Sequence, residues 1–82
     1  MKIRNKQLGT RNIIGFRVTE LRRQQGMKQK ELMARMQAIG VDINYTSLSK
    51  LEGQTRIATD KEIAAIAQIF GVTPNDLIPY EK

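Results

Sequence analysis

The sequence contains neither cysteine nor histidine. Those two absences together remove disulfides, thiolate nucleophiles, zinc fingers and imidazole bases. A chain without cysteine is compatible with a reducing cytoplasm. No apolar run approaches the roughly 18 residues that a membrane span needs. The opening stretch, MKIRNKQLGT, is basic but has no apolar segment behind it, which argues against a signal peptide. Clustered carboxylate pairs and nucleophile–base sets are missing too, so an enzymatic reaction has no obvious carrier. Few segments alternate with period two and β-branched runs are short, which leaves little from which to build a sheet.

What remains is one small, helical, unevenly charged domain. Eighty-two residues make a single domain that buries only about 60% of its unfolded surface. Met1–Arg56 carries a net charge of +8 and Ile57–Lys82 a net of −2. A basic region joined to a mildly acidic one points to a polyanion-binding surface on the first part. Nucleic acid and an acidic membrane both fit that charge, as does a merely solvated surface.

Helical spacing divides the chain into five elements. The first is expected over Asn12–Gln25, with Ile14, Val18 and Leu21 on one stripe and Gly26 as its stop. The second runs from Lys28 to Ile39, with Leu32, Met36 and Ile39 as core stripe, Met33 beside it and Gly40 ending it. The third spans Tyr45–Glu52. Asn44 can cap it, Leu48 and Leu51 face inward, and Gly53 ends it. Thr59 and Glu62 spell a capping box for a fourth helix, whose buried side is Ile63, Ile66, Ala67 and Phe70. Thr73 and Pro74 open a short fifth helix, with Leu77 and Ile78 closing the core. Domain boundaries follow: a flexible basic arm over 1–11, a folded unit over 12–79 and a short tail over 80–82.

Helices two and three are short, adjacent and joined by a connector, the layout of a helix-turn-helix reader. The segments IGFRVTELRRQQGMKQKELMARM, YTSLSKLEG and KEIAAIAQIFGVTPNDLI resemble the Xre family of bacterial and phage regulators. The matching pieces are Leu21–Arg22, Gln29 with Leu32, the run Leu48, Ser49, Glu52, Gly53, and the run Ile66 to Leu77. The resemblance covers about Ile14 to Ile78. It implies an all-α, compact, five-helix, lambda-repressor-like fold whose third helix enters the major groove of double-stranded DNA, with no cofactor or metal.

The resemblance also implies roles. Gln29 matches a glutamine that binds a backbone phosphate and steadies the recognition helix. Arg22 and Glu52 match a salt bridge that sets the angle of that helix. Tyr45, Thr46, Ser49 and Lys50 fall where base edges are read. Lysine can donate to guanine and threonine can pack on a thymine methyl. Tyr45 either meets the sugar-phosphate backbone or packs on the turn. Asn44 is a cap first and a phosphate donor second. Gln54, Thr55 and Arg56 lie where the family's loop follows the phosphates. Lys28 is an electrostatic contact or a solvated charge, and the arm residues Lys2, Arg4, Lys6 and Arg11 reach a minor groove or stay in water.

One departure stands out. QAIGVDIN places eight residues between Met36 and Tyr45, where the family has about three. It is read as an added turn of helix two plus a lengthened turn, with Ile43 tucked into the core. The expected function is a cytoplasmic, dimeric, sequence-specific transcriptional regulator acting as a repressor, with a regulatory protein partner as a further possibility. The alternative is an antitoxin or adaptor that uses the same fold to bind protein.

Overall fold

The computed structural model describes residues 11–79. Within them the chain forms four α-helices: α1 (Gly15–Gln24), α2 (Gln29–Ile39), α3 (Tyr45–Glu52) and α4 (Asp60–Phe70). A 3-10 turn over Pro74–Leu77 follows, and none of the described residues lies in a strand. The arm expected over 1–11, except Arg11, and the tail 80–82 fall outside the described residues.

Each helix starts where the local chemistry permits. Asn44 accepts the amide of Ser47 at 2.7 Å and so caps α3. Thr59 and Glu62 form the full reciprocal box at the start of α4. Lys28 has an extended backbone and places no side-chain oxygen on the first turn of α2. The first helix begins three residues later than its sequence pattern suggests. Asn12 holds the amides of Ile14 and Gly15 at 3.2 and 2.8 Å in a bend of its own, which delays the helix to Gly15. The expected fifth helix is a single 3-10 turn, its first amide held by Asp76 Oδ2 at 3.0 Å from Thr73 N. With four residues before Ile78 turns extended, the α-helical bonding pattern has no room to develop.

The core gathers Val18 and Leu21 from α1, Leu32 and Met36 from α2, Leu48 and Leu51 from α3, Ile66 and Phe70 from α4, and Leu77. Met27, in the α1–α2 turn, joins them. Fully burying one such aliphatic side chain stabilises a domain by about 1.5–3 kcal/mol. Ile39 does not belong to this core, contrary to its place on the stripe. It is 41% exposed, and Ile43, at 2%, closes that end instead. Gly40, at φ 101°, turns the chain sharply after α2. Gln37 Nε2 then holds the Ile43 carbonyl at 2.9 Å, so the Gly40–Asn44 connector is tied to the helix it leaves.

Candidate nucleic-acid interface

The buried positions of α3 dictate what its outer face displays. Leu48 and Leu51 are buried, so Thr46, Ser49 and Lys50 point outward and are exposed. Thr46 and Lys50 lie one turn apart on that face. Tyr45, 47% exposed, stands at the start of the helix. It lines an open depression together with Arg22, Lys28, Gln29 and Lys30. This depression lies at the N-terminus of α2, whose first amides have no intrahelical partners and carry partial positive charge. Two exposed ammonium groups, an amide and a phenol around a helix N-terminus suit an anionic oxygen.

Behind the depression sits a buried carboxylate. The Glu52 side chain is 4% exposed and pairs with Arg22, Nε to Oε2 at 3.0 Å. Its Oε1 accepts Arg22 Nη2 at 3.1 Å, Gln29 Nε2 at 3.1 Å and Thr19 Oγ1 at 2.9 Å. Arg22 Nη1 also donates to the Met27 carbonyl at 2.8 Å. A carboxylate buried to this degree needs such a set of donors to offset its desolvation. The Arg22–Glu52 pair that the resemblance implies is therefore present, and it extends to Thr19 and Gln29. Because a carboxylate only accepts, Gln29 must present its NH2 group to Glu52.

The loop after α3 departs from expectation. Gln54 is only 6% exposed, and its amide points inward, donating to the Asn12 carbonyl at 3.1 Å. It is therefore not available to a phosphate in this conformation. Arg56 is half-buried and bonds Glu62 Oε1 at 2.8 Å, which neutralises the charge assigned to a phosphate. Thr55 remains exposed, with its hydroxyl donating to the Lys50 carbonyl at 3.3 Å. Burial alone would raise the Glu62 carboxyl. Hydrogen bonds from Arg56 and the Thr59 amide outweigh it and hold the group below the ordinary glutamate range. Glu62 in turn raises the Arg56 guanidinium.

Of the residues singled out from sequence, Lys28, Gln29 and Tyr45 share the depression, and Thr46, Ser49 and Lys50 share the outer face of α3. Lys30 lines the same depression and was not foreseen, although its place in the first turn of α2, beside Gln29, is the available signal. Asn12 was missed as an organiser, because its partners lie about forty residues away. A family model described as a Cro/C1-type HTH DNA-binding domain matches residues 17–82. The chain belongs to the Cro/C1-type HTH family. The family is a DNA-binding one of helix-turn-helix type, and the all-helical fold of the described residues agrees with it. No curated protein matches the chain significantly. Among the described residues no helix is long and apolar enough to cross a membrane.

Proposed function

We propose that this Cro/C1-type domain is a sequence-specific transcriptional regulator that inserts the Tyr45–Glu52 helix into the major groove of double-stranded DNA. The carrying observation is one continuous arrangement: an outward face of Thr46, Ser49 and Lys50 beside the basic depression of Lys28, Gln29, Lys30 and Tyr45. The depression grips a phosphate and sets the register, while the α3 face meets base edges. The major groove, about 12 Å wide, admits one such helix. A single eight-residue helix reads few bases. Two copies on half-sites about one helical turn apart supply the missing specificity. Occupying an operator in the bacterial cytoplasm blocks polymerase, so the domain acts as a repressor.

The test is selection of bound duplexes from a random pool with the pure protein, at fixed salt, followed by affinity measurements. A palindromic motif is expected. Lys50→Ala should relax preference at one position by about 1–3 kcal/mol. Gln29→Ala should weaken all duplexes alike. Binding without sequence preference at low salt would refute the proposal.

A further inference from the structure

Three helices end on the same motif. In α1, α2 and α4 a glycine at φ 65°, 101° and 71° (Gly26, Gly40 and Gly71) reverses the chain. The two amides that follow each helix return to its last turn, for example Gly40 to Gln37 at 2.9 Å and Val41 to Met36 at 3.0 Å. The third helix closes with the same bonds, Gln54 to Leu51 at 3.0 Å and Thr55 to Lys50 at 2.9 Å. Yet the residue in the left-handed turn is Gln54, at φ 63°, and Gly53 before it is ordinary at −79°. Gly53 ends the helix as the sequence pattern expects, and the left-handed residue is the one after it.

A side chain in that conformation is strained, and glycine relieves the strain at the three sister sites. Gln54 is retained with its side chain buried and bonded. Its Nε2 donates to the Asn12 carbonyl at 3.1 Å, and its own carbonyl accepts the Arg11 amide at 3.2 Å. Asn12 answers with Nδ2 to the Leu51 carbonyl at 3.0 Å and to the Arg56 carbonyl at 2.6 Å. Its Oδ1 is occupied by the Ile14 and Gly15 amides, so both ends of this side chain are in use. The Thr55 amide and hydroxyl both close on the Lys50 carbonyl, which makes Lys50 part of the same unit.

We propose that Gln54 and Asn12 form a latch that positions the last turn of α3, and with it Lys50, for base recognition. Both are positioning residues, not DNA contacts, and the assignment rests on the DNA-binding function proposed above. Recognition geometry tolerates errors of roughly 0.5 Å and 10–20°. A helix anchored at its far end by Asn12, just before α1, and by Gln54, just after α3, keeps its reading face within that range. Strain held at one loop residue for a geometric purpose is the pattern expected of a functional position.

The variants Gln54→Gly and Asn12→Ser separate this role from plain stability. Glycine removes the strain and the latch bond together, so the variant should fold. Serine keeps an oxygen for the start of α1 but cannot reach Leu51 or Arg56. Affinities for the selected duplex and a scrambled one are measured by fluorescence anisotropy, at one salt concentration and across a salt series. Each variant should lose roughly tenfold of its preference for the selected duplex, the factor carried by about one net hydrogen bond. Binding to the scrambled duplex and the salt slope should stay unchanged. Preference retained within twofold in either variant overturns the latch. Equal loss on both duplexes overturns it too, in favour of a direct phosphate contact. A parent protein with no preference at all overturns the DNA-reading function itself, and the latch with it.

Discussion

Gly15→Ala would pass for a stabilising change on helix propensity alone, where alanine gains up to about 1 kcal/mol over glycine. The structure predicts the reverse. Gly15 is buried where the start of α1 crosses the end of α3. A Cβ there would lie 2.2 Å from the Leu51 carbonyl oxygen and 2.8 Å from that of Glu52. Both are backbone atoms and cannot swing aside. Restoring an ordinary contact means parting the two helices by roughly 1 Å, a form of overpacking that costs about 1–3 kcal/mol. The same shift stretches the Asn12–Leu51 bond from 3.0 Å past any useful length, a further loss of about 0.5–1.5 kcal/mol. Set against the propensity gain, the net loss expected is about 0.5–3.5 kcal/mol, out of the roughly 4–12 kcal/mol available to a chain of this size. In thermal unfolding followed by far-UV circular dichroism, Tm should fall by about 2–28 °C. Gly53→Ala is the control. It sits at φ −79°, where a Cβ would come no closer than 3.3 Å to Ser49 O, so its Tm should change little. A Gly15→Ala protein melting at or above the parent's Tm would show that the close approach does not bear on stability.

Two further outcomes concern buried charge. Arg22→Ala strands the Glu52 carboxylate and should destabilise by about 3–5 kcal/mol in chemical denaturation. Glu52→Ala, which strands Arg22 instead, should cost about as much, and a double variant should cost less than the sum of the two. Near-additive costs would mean that the pair is not coupled. The depressed Glu62 carboxyl adds stability that is fully present above the ordinary glutamate pKa, about 4.3. That contribution is lost as pH falls through the lower, folded value. Glu62→Gln should therefore destabilise at neutral pH, and its deficit against the parent should shrink on acidification. A deficit that is constant from neutral pH down to pH 3 would refute the shift.

Local signals in the sequence were reliable guides where the physics is local. Asn44 and the Thr59–Glu62 box act within one helical turn, and both place their helices correctly. The bounds of α3 follow from its cap and its two leucines. Ile43 was legible because an apolar residue in a polar connector needs a place to go. The Arg22–Glu52 pair rested on the family resemblance, since thirty residues separate the two. Gln54 and Arg56 turn inward for a physical reason. Both are polar loop residues, and only the tertiary packing of Asn12 and Glu62 draws them inward. Ile39 fitted the stripe, but periodicity cannot reveal that Ile43 returns to fill the same end of the core. Gly53 ends α3 as expected, but the left-handed turn falls on the bonded Gln54 beyond it, where glycine propensity gives no signal.

The Glu52 carboxylate has a consequence for motion. Its donors come from α1 (Thr19 and Arg22), from α2 (Gln29) and from its own place at the end of α3. Opening any one of these helices alone would leave a buried charge short of partners. Partial unfolding is thereby discouraged across all three at once. In native-state hydrogen exchange, their inner amides should exchange together, with one opening free energy, as a single cooperative unit. The 3-10 turn, which contributes nothing to that carboxylate, is free to open at lower cost. A domain too small to be stable in parts thus keeps α3 attached to α1 and α2 through one shared anion.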